Sequence, residues 1–164
     1  EATLPLMFVD EHPPAITGYV SLPFAAHVQI ACLPQCFALA ANIGLSNTTA
    51  SIVSIDIAHK IVVSMLNPRG VKAGGIVVIP GGKAITTSLS DRWGEVISVS
   101  SNGILSDSGP MVSNPGAGVS GVINMSVTPN GTAALAVVKY AGGFTVVQKY
   151  SLGSDGGKLN RNAS

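Results

Sequence analysis

Cys32 and Cys36 are the chain's two cysteines, and they flank Leu33-Pro34-Gln35 between two apolar runs. A hairpin there sets the two sulfurs on facing strand positions, so a disulfide is the chemistry this spacing predicts. Closing so short a loop contributes about 2 kcal/mol through chain entropy, enough to pin a turn and too little to hold a fold. A zinc site would need further ligands, and His12, His27 and His59 stand in unrelated segments. No metal or other cofactor is therefore expected.

Asn-x-Ser/Thr triplets begin at Asn47, Asn124, Asn130 and Asn162, and each is an acceptor pattern for an N-linked glycan. Pro129-Asn130-Gly131 reads as an exposed turn, which makes Asn130 the foremost of the four, whereas Asn124 falls inside a strand pattern. Together with the disulfide, these acceptors point to an oxidising setting: extracellular, cell surface or virion surface.

Acid–base chemistry has little to draw on, because eight carboxylates and three histidines offer few perturbed pairs. Asp56 and His59 are three apart, and in a strand they would face opposite sides of the sheet. His27 opens an apolar strand, where a hydrogen-bonded structural histidine is expected. The doublets Gly74-Gly75, Gly81-Gly82 and Gly142-Gly143 lack the strand, loop and helix context of a phosphate cradle.

Asp107-Ser108-Gly109-Pro110-Met111-Val112, followed by Gly118-Val119-Ser120-Gly121-Val122-Ile123, resembles the nucleophile loop and next strand of chymotrypsin-like serine proteases. Ile57-Ala58-His59 is similar to that family's histidine segment, and Asp91 lies between the two in the family's chain order. The resemblance implies His59 as general base, Asp91 as its orienter and Ser108 as nucleophile of a peptide hydrolase. The sequence departs from the family at Ser106, which stands where a glycine helps hold the oxyanion, and at Pro110, before which a second glycine is missing. The interval from His59 to Ser108 is also too short to finish one closed barrel and build most of another. Residues 108–110 are accordingly expected as a turn, no residue is assigned as catalytic, and the chain is not expected to be an enzyme.

The elements that would position any site are strands. Charged residues make up 10% of the chain against 46% hydrophobic, which excludes a disordered tail, and a net charge of +1 with thinly spread Lys and Arg excludes a phosphate-binding stripe. No nucleic-acid partner is expected. Residues 15–55 carry no charge, yet Pro23, Pro34, Asn42, Gly44 and Ser46-Asn47-Thr48-Thr49 cut them into pieces too short for a spanning helix, so no transmembrane segment is expected. Glu1 in place of an initiator Met, with no leader pattern after it, reads as a processed form or an excised piece.

Runs of Val, Ile, Thr and Ser punctuated by Gly, Pro and Asn predict strands near residues 4–9, 16–22, 27–32, 37–45, 51–57, 61–66, 75–79, 84–89, 96–100, 119–127, 133–140 and 144–152. In residues 37–45 large apolar groups take the odd positions, which predicts one buried face bearing Phe37, Leu39, Ile43 and Leu45. The expected fold is an all-β antiparallel β-sandwich of one domain, with jelly-roll topology as one arrangement and an extended N-terminal strand.

Three regions follow: an arm over 1–14, a sandwich over 15–152 and a Gly-rich polar tail over 153–164 that is ordered only if something outside the core holds it. In the arm, Leu4, Leu6, Met7, Phe8 and Val9 form an apolar strand, and Asp10-Glu11-His12-Pro13-Pro14 reads as a stiff spacer. Such a strand can complete its own sheet or add to the edge of another copy, and the second route propagates into a ring or filament. The low surface charge favours the second route, and with it a self-assembling structural subunit of an extracellular filament, pilus-like fibre or viral capsid whose partners are copies of itself. The rival is a monomeric carbohydrate- or ligand-binding module, whose platform would come from Trp93, Tyr19, Tyr140 or Tyr150.

Overall fold

In a computed structural model the β-branched runs become strands, and no helix occurs among the described residues. The structure describes residues 4–11, 14–22, 25–33, 35–42, 52–67, 73–88, 94–110, 112–114, 118–153 and 158–161. Side chains are described for residues 27–32, 35–41, 52–67, 75–87, 94–108 and 118–153.

The strands are β1 (Leu4–Glu11), β2 (Pro14–Leu22), β3 (Ala25–Leu33), β4 (Gln35–Asn42), β5 (Ile52–Asp56), β6 (Ile61–Leu66), β7 (Ala73–Ile79) and β8 (Lys83–Ser88). They continue as β9 (Glu95–Val99), β10 (Leu105–Pro110), β11 (Val112–Asn114), β12 (Val119–Val127), β13 (Ala133–Tyr140), β14 (Thr145–Leu152) and β15 (Lys158–Arg161).

Three larger sheets carry the sandwich, in strand orders β3-β4-β5-β6, β10-β9-β8-β7 and β11-β15-β14-β13-β12, and β1 and β2 form a separate two-stranded sheet. Pairing is antiparallel except between β11 and β15. The first two sheets are meanders in which every neighbour is consecutive in sequence, so the strand order lacks the alternation between sheets that defines a jelly roll.

The β7–β10 sheet is the middle layer, because alternate residues of its strands enter two different cores. Val77, Ile79, Ile85 and Val96 pack with Val119, Val122, Met125, Ala136, Val138 and Tyr150 of the β12–β14 meander. Ile76, Ala84, Ile97 and Val99 pack with Phe37, Leu39, Ala41 and Ile52 of the β3–β6 sheet. A sheet covered on both faces needs apolar residues in succession, and Ile76-Val77-Val78-Ile79 supplies them. Full burial of each Ile or Val stabilises by about 1.5–3 kcal/mol, so the middle layer is where the fold is most sensitive to truncation.

The expected C-terminal meander is present: β12 pairs with β13 and β13 with β14. Gly131 at φ 69° and Gly143 at φ 85° take the left-handed positions of its two turns.

Other expectations are corrected. Of the stiff spacer expected at 10–14, Asp10 and Glu11 instead continue β1 and Pro14 opens β2, where a missing ladder N–H is tolerated at a strand's first residue, while residues 12 and 13 lie outside the described residues. Residues 108–110 are not a turn: they end β10, which bulges between Asp107 and Gly109 against β9. Within the expected polar tail, Lys158–Arg161 form β15, paired with β14 on one side and β11 on the other.

Phe37 and Leu39 are buried as expected, while Ile43 and Leu45 lie outside the described residues. The strand has two buried faces rather than one, because Ala38 and Ala40 also exclude solvent, against Val53 and Ile55.

Candidate functional site

The chemistry-bearing residues sort into three places. The first is the end of the β3–β6 sheet, where a disulfide joins Cys32 to Cys36 as a directly facing pair on β3 and β4. Gln35 Nε2 donates to Asp56 Oδ2 at 2.7 Å, tying this hairpin to the β5–β6 turn.

Asp56 organises that turn: its Oδ1 accepts from the backbone N–H of Ala58 at 2.9 Å and of His59 at 3.1 Å. Its Oδ2 lies 2.6 Å from His59 Nδ1, and Lys60 takes a left-handed φ of 57°. A carboxylate can only accept, so His59 carries its proton on Nδ1 and turns Nε2 outward, on a side chain 70% exposed. Asp56 and His59 thus meet, contrary to the expectation for a strand, because residues 57–60 are a turn that Asp56 caps.

The His59 side-chain hydrogen bond is the largest influence on Asp56, and with the turn amides it holds this carboxyl below the ordinary aspartate value. A lowered folded-state value means a stabilising contribution that is complete above the unfolded value of about 3.9 and lost as pH falls through the folded one. Asp56→Asn should therefore be less stable than the parent at neutral pH, with the difference narrowing in acid. Denaturant midpoints at pH 7 and pH 3 check this, and parallel curves would contradict it.

The second place is Ser108. It is exposed on β10, and its hydroxyl hydrogen-bonds to the Ser98 hydroxyl, not to His59. His59 is oriented by Asp56, and Asp91 lies outside the described residues. The sheets are open, so the two closed barrels implied by the protease resemblance are absent. A groove of about 310 Å³ lies between Cys32, Pro80, Thr128 and Pro129, and no residue lining it titrates. His27 has a structural role: its Nδ1 accepts from the Ile76 N–H at 3.0 Å, fastening β3 to the edge of β7.

The third place is the second face of the β3–β6 sheet. Residues directly opposite one another share a face, and the register aligns Ile30, Ala38, Ile55 and Val62 in one row and Val28, Ala40, Val53 and Met65 in the next. Every position is apolar. The central residues are buried, whereas Ile30 is 60%, Val62 44% and Met65 56% exposed.

The edge strand β6 is also uncharged, and Ile61 is a third large apolar residue exposed along it; Val63 and Leu66 pack on the core, and Ser64 accepts from the Leu105 N–H at 3.1 Å. Edge strands are ordinarily protected by charge, Pro or cover, and the residues of β6 provide neither charge nor Pro. The alternation of β4 concealed this face, and the signal that exposes it is that the even positions 38 and 40 are alanines rather than polar residues.

The remaining candidates are dispersed. Leu4, Leu6, Met7, Phe8 and Val9 lie on β1, with Leu4 opposite Leu22 and Phe8 opposite Gly18; their side chains are outside the described residues. Asn124 is exposed at a bulge of β12 and Asn130 is exposed in the β12–β13 turn, while Asn47 and Asn162 are outside the described residues. Of the aromatic candidates, Tyr150 is core and Tyr140 stacks on Phe144 at 4.7 Å, while Trp93 and the Tyr19 side chain are outside the described residues. No group of acidic, histidine or cysteine ligands is placed to hold a metal ion, and no helix is long and apolar enough to cross a membrane, among the described residues.

No protein-family profile and no curated protein matches the chain. Solved structures do match it in fold. A functionally unknown protein from Desulfotomaculum acetoxidans superposes with a TM-score of 0.66 at 17% identity, over 98% of this chain and 62% of the other. A protein from Lactobacillus plantarum does so with a TM-score of 0.59 at 12% identity, over 98% of this chain and 64% of the other. The chain thus spans less than two thirds of the length of each.

Proposed function

We propose that the chain is a structural subunit that assembles with copies of itself outside the cytoplasm, as part of a filament, pilus-like fibre or capsid. The observation that carries this reading is β6, an uncharged edge strand with Ile61, Val62 and Met65 exposed. Strand addition at such an edge supplies main-chain hydrogen bonds, and the apolar row ends supply packing. The apolar hairpin β1–β2, which among the described residues shares no ladder with the three larger sheets, is the segment suited to bridging copies. The disulfide fits an oxidising compartment.

Placing a charge on the edge tests the reading. Val62→Lys and Met65→Lys substitute exposed positions, where folding stability should change by no more than about 0.5 kcal/mol. Each is expected to shift light-scattering mass from assemblies toward the 16.6 kDa monomer while circular dichroism stays that of the parent. Undiminished assembly by both variants would refute the role of β6.

A further inference from the structure

We infer that Asn130 is a glycan acceptor built into the β12–β13 turn, and that Asn124, an acceptor by sequence alone, is not one. Both side chains are exposed, so exposure does not distinguish them. Hydrogen bonding does. Asn130 Oδ1 accepts from Thr132 Oγ1 at 2.8 Å and Thr132 N at 3.2 Å, and shares the single proton of Thr128 Oγ1, at 2.8 Å, with Ala133 O at 3.1 Å. A backbone N–H can only donate, so the Thr132 amide fixes which end of the Asn130 amide is oxygen. Nδ2 is left without a partner among the described residues.

This arrangement couples the two chemical parts of an acceptor triplet, the amide and the hydroxyl two residues on. Donors on Oδ1 hold the amide plane and make the Nδ2 protons more acidic. In transfer from a lipid-linked diphosphate oligosaccharide, Nδ2 forms a bond to C1 of the first sugar, the bond from C1 to the diphosphate oxygen breaks, and the lipid diphosphate leaves with the proton that Nδ2 gives up. The bonds that arrange Asn130 all lie within residues 128–132, so the acceptor geometry is local and does not await the sandwich.

The neighbouring backbone limits the competing reaction at an Asn-Gly pair. The Gly131 N–H, whose nitrogen would attack the Asn130 side chain in deamidation, donates to Thr128 O at 2.8 Å. Gly131 sits at φ 69°, and a Cβ there would fall 2.7 Å from Pro80 Cδ, so the turn is also braced against the β7–β8 turn.

At Asn124 the amide oxygen is taken by the N–H of Met125 at 2.8 Å, at a bulge in β12. Its triplet hydroxyl, on Ser126, makes no hydrogen bond to it among the described residues. The strand is paired to β13 on both sides of the bulge, with Val122 opposite Val138 before it and Met125 opposite Ala136 after it.

The test is secretion of the full chain from a eukaryotic host that performs N-glycosylation, so that the compartment is imposed and the result is independent of the assembly reading. Peptide mapping after enzymatic glycan release in heavy-oxygen water should find label at Asn130 and none at Asn124. Thr132→Ala should lose the glycan mass at Asn130 while circular dichroism remains that of the parent, and Asn124→Gln should leave the mass of attached sugar unchanged. A secreted, folded chain with Asn130 unlabelled, or with sugar on Asn124, would overturn the inference.

Discussion

Replacing Gly103 by alanine is expected to destabilise the protein by about 2–5 kcal/mol, a large part of the stability of an ordinary domain. Two penalties combine there. Gly103 has φ 80°, where an L side chain is strained, and a Cβ would lie 2.5 Å from Phe37 Cε1 and 2.6 Å from Cδ1. Phe37 cannot withdraw, being 1% exposed in the core it shares with Leu39, Val99 and Leu105. The turn cannot readily shift either, since the Gly103 N–H donates to Ser100 O at 2.9 Å and the Ile104 N–H to Ser100 Oγ at 2.9 Å.

Gly143 supplies the comparison: its φ is 85°, but nothing lies within 4 Å of its Cβ position. Alanine there should cost only the backbone strain, about 1–2 kcal/mol. Urea denaturation of both variants checks the contrast, and Phe37→Leu combined with Gly103→Ala should cost less than the two single changes added together. Equal destabilisation at positions 103 and 143 would mean that Phe37 does not press on the turn.

The expected strands were legible because period-two and β-branched runs report on local burial, and each of them is present in the structure. The strands without such a signal are β10, β11 and β15: β10 and β15 pair with the strands just before them, β9 and β14, and only the β11–β15 pairing is distant in sequence. Leu105-Ser106-Asp107-Ser108-Gly109-Pro110 ends like a turn, yet Pro110 is acceptable because β10 is the outer strand of its sheet. Lys158–Arg161 has no apolar alternation at all, and its pairing with β14 and β11 is tertiary information. The three-layer stacking was likewise hidden, since Ile76-Val77-Val78-Ile79 announces burial on both faces without naming what covers them.

At the site, the Cys32–Cys36 pairing followed from spacing because the two residues face each other across a hairpin. The Asp56–His59 contact did not, because strand period sets residues three apart on opposite faces, whereas the chain turns directly after Asp56; an aspartate at the end of an apolar run is itself a turn signal. The exposed edge could not be read from composition. Ile61-Val62-Val63-Ser64-Met65-Leu66 reads equally as an inner strand, and only the strand order puts it at a margin.

Removing the β1–β2 hairpin is expected to have the largest effect on assembly and little on the fold. Among the described residues, both inter-sheet cores are built from residues between Ala31 and Leu152, and the hairpin forms no ladder with the sheets that hold them. A cut after Pro14 would leave β2 without its partner, so the informative deletion removes residues 1–24 as a unit. Light-scattering mass of the intact chain and of this deletion, taken beside their unfolding midpoints, tests self-assembly most directly. Assemblies are expected for the intact chain, and for the deletion a folded monomer lighter than the 16.6 kDa of the full chain, with the midpoint kept. A monodisperse monomer in both samples would contradict it.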